Sequence, residues 1–188
     1  MRKTSILVCL LFTFSFSFSQ SSKLPEVDKS PMDVSYYPNN YPILKIQNKA
    51  TEPLVVRILY SRPQKQGRKV FGELVEYGKV WRLGANEATE IQFFKSATIQ
   101  DKKIPAGRYV LYCIPKPNQW TVVFNSNIDS WGLTPDSAKD VARFNIPVSM
   151  TNNRIEFFTM IFEKKTNSST DLLMAWDNAE ARLPISFD

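Results

Sequence analysis

From Ile43 onward, apolar residues recur at or near every second position in short runs, and each run is stopped by Pro, Gly, Asn or Asp. Successive side chains of an extended chain point to opposite faces, so a period of two builds half-buried strands and does not place one apolar stripe along a helix. The runs cover residues 43–47, 54–60, 89–94, 109–114, 120–125, 141–148, 155–162, 172–176 and 182–187. About nine strands are predicted. Turn signals separate several of them, at 101–103, at 116–118 with prolines at Pro115 and Pro117, at 164–170 and at 177–180. No helical period runs beyond ten residues, apart from a short turn expected within 135–141. Many short strands with regular turns predict an all-β fold, either an antiparallel sandwich of jelly-roll type or a flattened barrel.

The N-terminus has a different character. Arg2 and Lys3 precede an apolar, hydroxyl-rich run over 5–18, and Ser17 and Ser19 supply small residues at the −3 and −1 positions before Gln20. This is the pattern of a secretory signal peptide over residues 1–19. A retained anchor needs about 20 predominantly apolar residues, whereas this run is shorter and broken by Thr13, Ser15 and Ser17. The expected organisation is a signal peptide, a mobile polar lead-in over 20–35, and a single β domain over 36–188. The expected address is the periplasm or the extracellular space, with no membrane span left after cleavage.

Composition removes whole classes of chemistry. The chain has no histidine, which excludes Ser-His-Asp and Cys-His catalysis and the usual histidine-containing zinc sites. After signal removal Cys113 is the one remaining cysteine, so no intramolecular disulfide can form and the exported domain depends on its core. Cys113 alternates with Tyr109 and Leu111, which makes it a core strand residue. Loss of Arg2 and Lys3 lowers the formal charge from +6 to +4. The remaining cations are scattered and no nucleic-acid motif accompanies them, so nucleic acid is not an expected partner. No cofactor is expected. Asp129, Asp136 and Asp140 lack the dense alternation and glycine of a calcium loop, and no metal site is expected from them.

One segment departs from the strand pattern. Between the strands at 54–60 and 89–94 the chain reads SRPQKQGRKVFGELVEYGKVWRLGANEA. Pro63 ends the first strand because proline lacks the amide donor that a ladder needs. Gln66-Gly67-Arg68 and Gly84-Ala85-Asn86 are turns, while Phe71-Gly72 and Tyr77-Gly78 each join an aromatic anchor to a residue that tolerates positive φ. Loops this long without regular structure are uncommon unless they serve a function.

The blocks YSRP, YGKVWR and GANEAT, followed by IPAGRYVLYCIP, by WTVVFN with Trp131-Gly132, and by MAWDNAEARLPI, resemble the secreted bacterial family termed domain of unknown function 2911. The resemblance covers roughly residues 30 to 187. It implies an exported all-β domain and carries no reaction with it.

Two readings of the long excursion are physical. In the first, Arg62, Arg68 and Arg82 converge as bidentate donors on a carboxylate or phosphate. Asn86 and Glu87 then add polar contacts, and Tyr77 and Trp81, with Tyr60, form a stacking wall. That is a site for a small anionic or carbohydrate ligand on a binding or cell-envelope module. In the second, Arg82 bonds loop carbonyls and pairs with Glu87 or Glu73, fixing the excursion in a structural or partner-binding protein. A carboxylate-dependent glycan hydrolase is a third possibility, through Glu73, Glu76, Glu87 and Glu90. Glu87 and Glu90 would face opposite sides of one continuous strand, so only loop curvature can join them. Of the four tryptophans, Trp131 in its predicted loop is the candidate for exposure.

Overall fold

A computed structural model describes residues 24–128 and 130–187. The expected signal peptide and Asp129 lie outside the described residues. Nine strands form one antiparallel sheet in the order β1 (Met32–Tyr37), β2 (Val56–Ser61), β3 (Thr89–Phe93), β6 (Gly107–Pro115), β7 (Gln119–Asn125), β8 (Asp140–Lys164), β9 (Ser169–Phe187), β4 (Ala97–Ile99) and β5 (Lys102–Ile104). The sheet does not close into a barrel.

The period of two accounts for how the sheet folds over its core. Val56, Ile58 and Tyr60 of β2, Leu111 and Cys113 of β6, Trp120, Val122 and Phe124 of β7, and Ala142, Phe144 and Ile146 of β8 are all buried on one face. The second half of β8 contributes Phe158, Met160 and Phe162 to the same core. β8 is the fold line: its first half pairs with β7 from Asp140 to Pro147, and its second half pairs with β9 from Val148 to Lys164. Aromatic contacts join the two halves, with Tyr60 edge-on to Phe158 at 5.8 Å and Tyr37 stacked on Phe187 at 5.6 Å. A sheet doubled over one apolar layer is the sandwich-like solution to burying that face.

Several local expectations need correction. The runs at 141–148 and 155–162 are parts of one strand, β8, and those at 172–176 and 182–187 are parts of β9. The expected turn at 177–180 is instead an interruption in phase. Asp177 takes a left-handed conformation at φ 53°, and the buried face passes from Leu172, Met174 and Trp176 to Ala179, Ala181 and Leu183. One extra residue shifts the alternation without reversing the chain. The run at 43–47 forms α1 (Tyr41–Ile46), which opens with Pro42 and buries nothing. β1 begins at Met32, inside the expected lead-in, because its backbone completes the ladder with β2 from Met32 opposite Ser61 to Tyr37 opposite Val56. Among the described residues no helix is long and apolar enough to cross a membrane.

Candidate functional site

The long excursion completes two ladders that the strands leave unfinished. β3 pairs with β6 only as far as Leu111, so Cys113 and Pro115 lack a partner on that side. Trp81 takes the place: its N–H donates to the Cys113 carbonyl at 2.8 Å, and the Cys113 N–H returns the bond at 2.7 Å. Gly78 N–H donates to the Pro115 carbonyl at 2.8 Å. At the other end, Phe158 N–H donates to the Pro63 carbonyl at 3.0 Å and Lys65 N–H to the Glu156 carbonyl at 2.8 Å. Buried backbone groups must be paired, and here the excursion pairs them.

β8 accepts the excursion because it bows away from β9. Between the pairs Met150–Ala179 and Ile155–Asp177 the register shifts, and it shifts again before Thr159–Ala175. The bow opens a cavity of about 530 Å³. Phe71 and Trp120, centroids 5.0 Å apart, are two of its buried aromatic residues, and Tyr77 lines it with a half-exposed ring. Cations come from three elements: Lys65 and Lys69 from the excursion, Lys116 from the β6–β7 turn, and Arg154 from the bow.

Among the described residues Asp177 is the one acidic residue lining the cavity, and it is only 5% exposed. Its Oδ1 accepts a hydrogen bond from Arg154 Nη1 at 3.1 Å and sits 3.6 Å from Lys65 Nζ. Two cations thus share one carboxylate oxygen. Lys69 pairs with the exposed Glu73 at 3.2 Å, and Lys116 has no ion pair among the described residues. The described lining residues carry a net positive charge.

The arginines expected to converge do not meet. Arg62 donates from Nε to the Phe158 carbonyl at 3.2 Å, from Nη1 to Asp33 Oδ2 at 3.0 Å and from Nη2 to Thr159 Oγ1 at 2.9 Å. Arg68 donates to the carbonyls of Gln64 and Lys65 within its own turn. Arg82 packs beside Ala88 and Gly132, and its Nη1 is buried with no acceptor among the described residues. The three partner sets are disjoint.

Trp81 is a core residue, stacked on Trp176 at 6.0 Å and in edge contact with Trp120 at 5.7 Å. Asn86 donates to Asp28 Oδ1 at 2.9 Å and fastens the lead-in. The Ser30 amide, and then Asn86, hold that carboxyl below its ordinary pKa. Glu87 lines a smaller hollow with Glu90 and Trp131. Of the seven residues proposed from sequence, Tyr77 alone lines the large cavity.

Cys113 is fully buried among core side chains, and burial pushes its thiol pKa well up. Asp136 caps a 3₁₀ turn at Ser137–Lys139. Asp140 accepts from Tyr112, Asn125 and Arg143. No cluster of three metal-ligating side chains occurs among the described residues.

Lys65, Lys116 and Arg154 carry no sequence signal of their own. Each is an isolated cation in a polar stretch, and only the bow in β8 brings them together.

The model of a protein family of unknown function, DUF2911, matches residues 42–185. The chain belongs to the DUF2911 family. No curated protein and no solved structure matches it. DUF2911 membership covers the strands from β2 through most of β9 together with the whole excursion, so the cavity belongs to the family's own domain.

Proposed function

We propose that this DUF2911 protein is an exported ligand-binding module whose cavity between the bow of β8 and the excursion takes a small anionic ligand with a planar or ring-shaped body. The observation that carries this reading is the imbalance of charge over aromatic residues. Lys65 and Arg154 spend themselves on one oxygen of Asp177, while Lys116 has no ion pair among the described residues. An anion about 4 Å from such a cation gains about 4 kcal/mol at an effective dielectric of about 20. Arg154 engages Asp177 through Nη1, and its remaining donors suit a carboxylate or phosphate. Tyr77 and Met150, both well exposed in the lining, supply the apolar surface that fixes a ring, with Phe71 and Trp120 buried in the wall, which is the usual division of labour in small-molecule sites. Export rests on the signal-like N-terminus, Arg2 and Lys3 before the apolar run.

The test is a thermal-shift and calorimetric screen of the mature protein against uronic acids, nucleoside monophosphates and aromatic carboxylates, each beside its neutral counterpart. Anionic members should raise Tm and bind more weakly as salt rises. Lys116→Gln should weaken binding about tenfold without moving the unliganded Tm, and Arg154→Gln should weaken it further. A panel that produces no shift, or binding that survives both substitutions together, defeats this reading.

A further inference from the structure

Trp131 is 63% exposed, whereas Trp81, Trp120 and Trp176 are at most 9% exposed. Its position is held by its neighbour. Gly132 has φ 81°, and a Cβ there would meet Ala88 Cβ at 3.0 Å and Arg82 Cβ at 3.2 Å. The loop is therefore seated against the start of β3 through a residue that only glycine can supply, and the indole beside it stays in solvent. Trp131 lines a hollow of about 220 Å³ with Glu87, Glu90, Ile128 and Ser130. Loop curvature has placed Glu87 and Glu90 in one hollow despite their odd spacing.

Charge decides what the hollow accepts. Two carboxylates repel an anion. Glu90 accepts from Arg108 Nη2 at 2.6 Å, so among the described residues one guanidinium offsets one of the two acids and the attraction for a cation is reduced. What fits is a neutral body with one apolar face for the indole and hydroxyl groups that donate to the carboxylates and Ser130. The volume falls below the roughly 300–1,000 Å³ of a site that encloses a whole ligand, and it suits one residue of a longer chain. We infer that Trp131, Glu87, Glu90 and Ser130 form a surface subsite for a neutral polysaccharide, separate from the cavity at Lys65 and Arg154.

The experiment is affinity electrophoresis of the mature protein through gels containing laminarin, mannan, dextran or hydroxyethylcellulose, with polygalacturonate as the anionic control. Iodide quenching of tryptophan fluorescence, which reads chiefly the exposed Trp131, runs in parallel. At least one neutral polymer should retard the protein and protect Trp131 from iodide. Trp131→Ala should weaken retardation at least tenfold and Glu87→Gln about threefold, while Lys116→Gln has no effect. Circular dichroism confirms that the variants fold. The inference is overturned if no neutral polymer retards the protein, if retardation survives Trp131→Ala, or if only polygalacturonate acts. Binding of Trp131 to phosphatidylcholine vesicles without any polysaccharide retardation overturns it equally.

Discussion

Arg62 shows how a residue type suited to anion recognition is used when its surroundings already offer acceptors. Its guanidinium spans β1, through Asp33, and β8, through the Phe158 carbonyl and Thr159. It thus ties the edge of the sheet to the far side of the fold. The side chain is a third exposed, so solvent screening discounts the ion pair, and its worth lies chiefly in the carbonyl and hydroxyl bonds. Arg62→Gln should cost about 1–2 kcal/mol, or about 2–8 °C in Tm for a chain of this size. Binding of the anionic ligand should be unchanged. A variant that keeps its Tm but loses binding would return Arg62 to the site and show that it is no structural tie.

At the scale of elements, the phase shift at Asp177 is the device on which the cavity depends. The bow of β8 and the left-handed residue in β9 let the excursion enter, and they turn a buried carboxylate toward two cations. Asn tolerates the left-handed region as Asp does, so Asp177→Asn preserves the backbone while removing the charge. Lys65 and Arg154 then lose their shared partner. The loss is discounted because Arg154 is mostly exposed, leaving about 1–3 kcal/mol of destabilisation. The cavity meanwhile gains one net positive charge, so affinity for an anionic ligand should rise about threefold to tenfold. Stability falling while affinity rises is the signature, read by Tm of the free protein and calorimetry of the complex. Affinity that falls along with Tm would show that Asp177 contacts the ligand itself.

The same element marks the limit of what the sequence reveals. Alternation exposes the buried faces of β2, β3, β6 and β7 because each is a single uninterrupted strand. It cannot show that 141–148 and 155–162 are continuous, since a bow and a turn carry the same polar residues, here Thr151, Asn152 and Asn153. Asp177-Asn178 reads as a turn for the same reason. The stretch at 43–47 is too short to separate a strand from one helical turn, and Pro42 is the available hint. The excursion is recognisable as special from Pro63, its glycines and Trp81. Which of its cations face the cavity depends on ladder positions in β6 and β8 that lie about fifty and ninety residues away. Arginine draws attention because of its chemistry, whereas the lysines are placed by topology.

At the scale of the molecule, a domain without disulfide bonds holds its sheet through one aromatic and aliphatic core, and several titratable groups are built into that core in their neutral forms. Burial raises the pKa of Tyr60, Tyr109 and Tyr37, and it pushes the Cys113 thiol well up. Tyr112 is pushed up to about 12, first by burial and then by its hydrogen bond to Asp140. A folded-state pKa above the unfolded value, near 10 for tyrosine and about 8.5 for the thiol, means that the unfolded chain loses its proton first as pH rises. The thiol's stabilising contribution is therefore lost from about pH 8 upward, and that of the tyrosines is complete below about pH 9 and lost progressively as pH climbs toward 12. Tm should be nearly flat from pH 7 to 8, begin to decline by pH 9 and fall steeply above 10. In Tyr112→Phe, which keeps the ring and removes the ionisable hydroxyl, the fall should be shallower even if Tm at pH 7 is lower. An alkaline slope as steep in Tyr112→Phe as in the parent would assign the sensitivity to other groups, and Tyr60→Phe would then be the variant that flattens it.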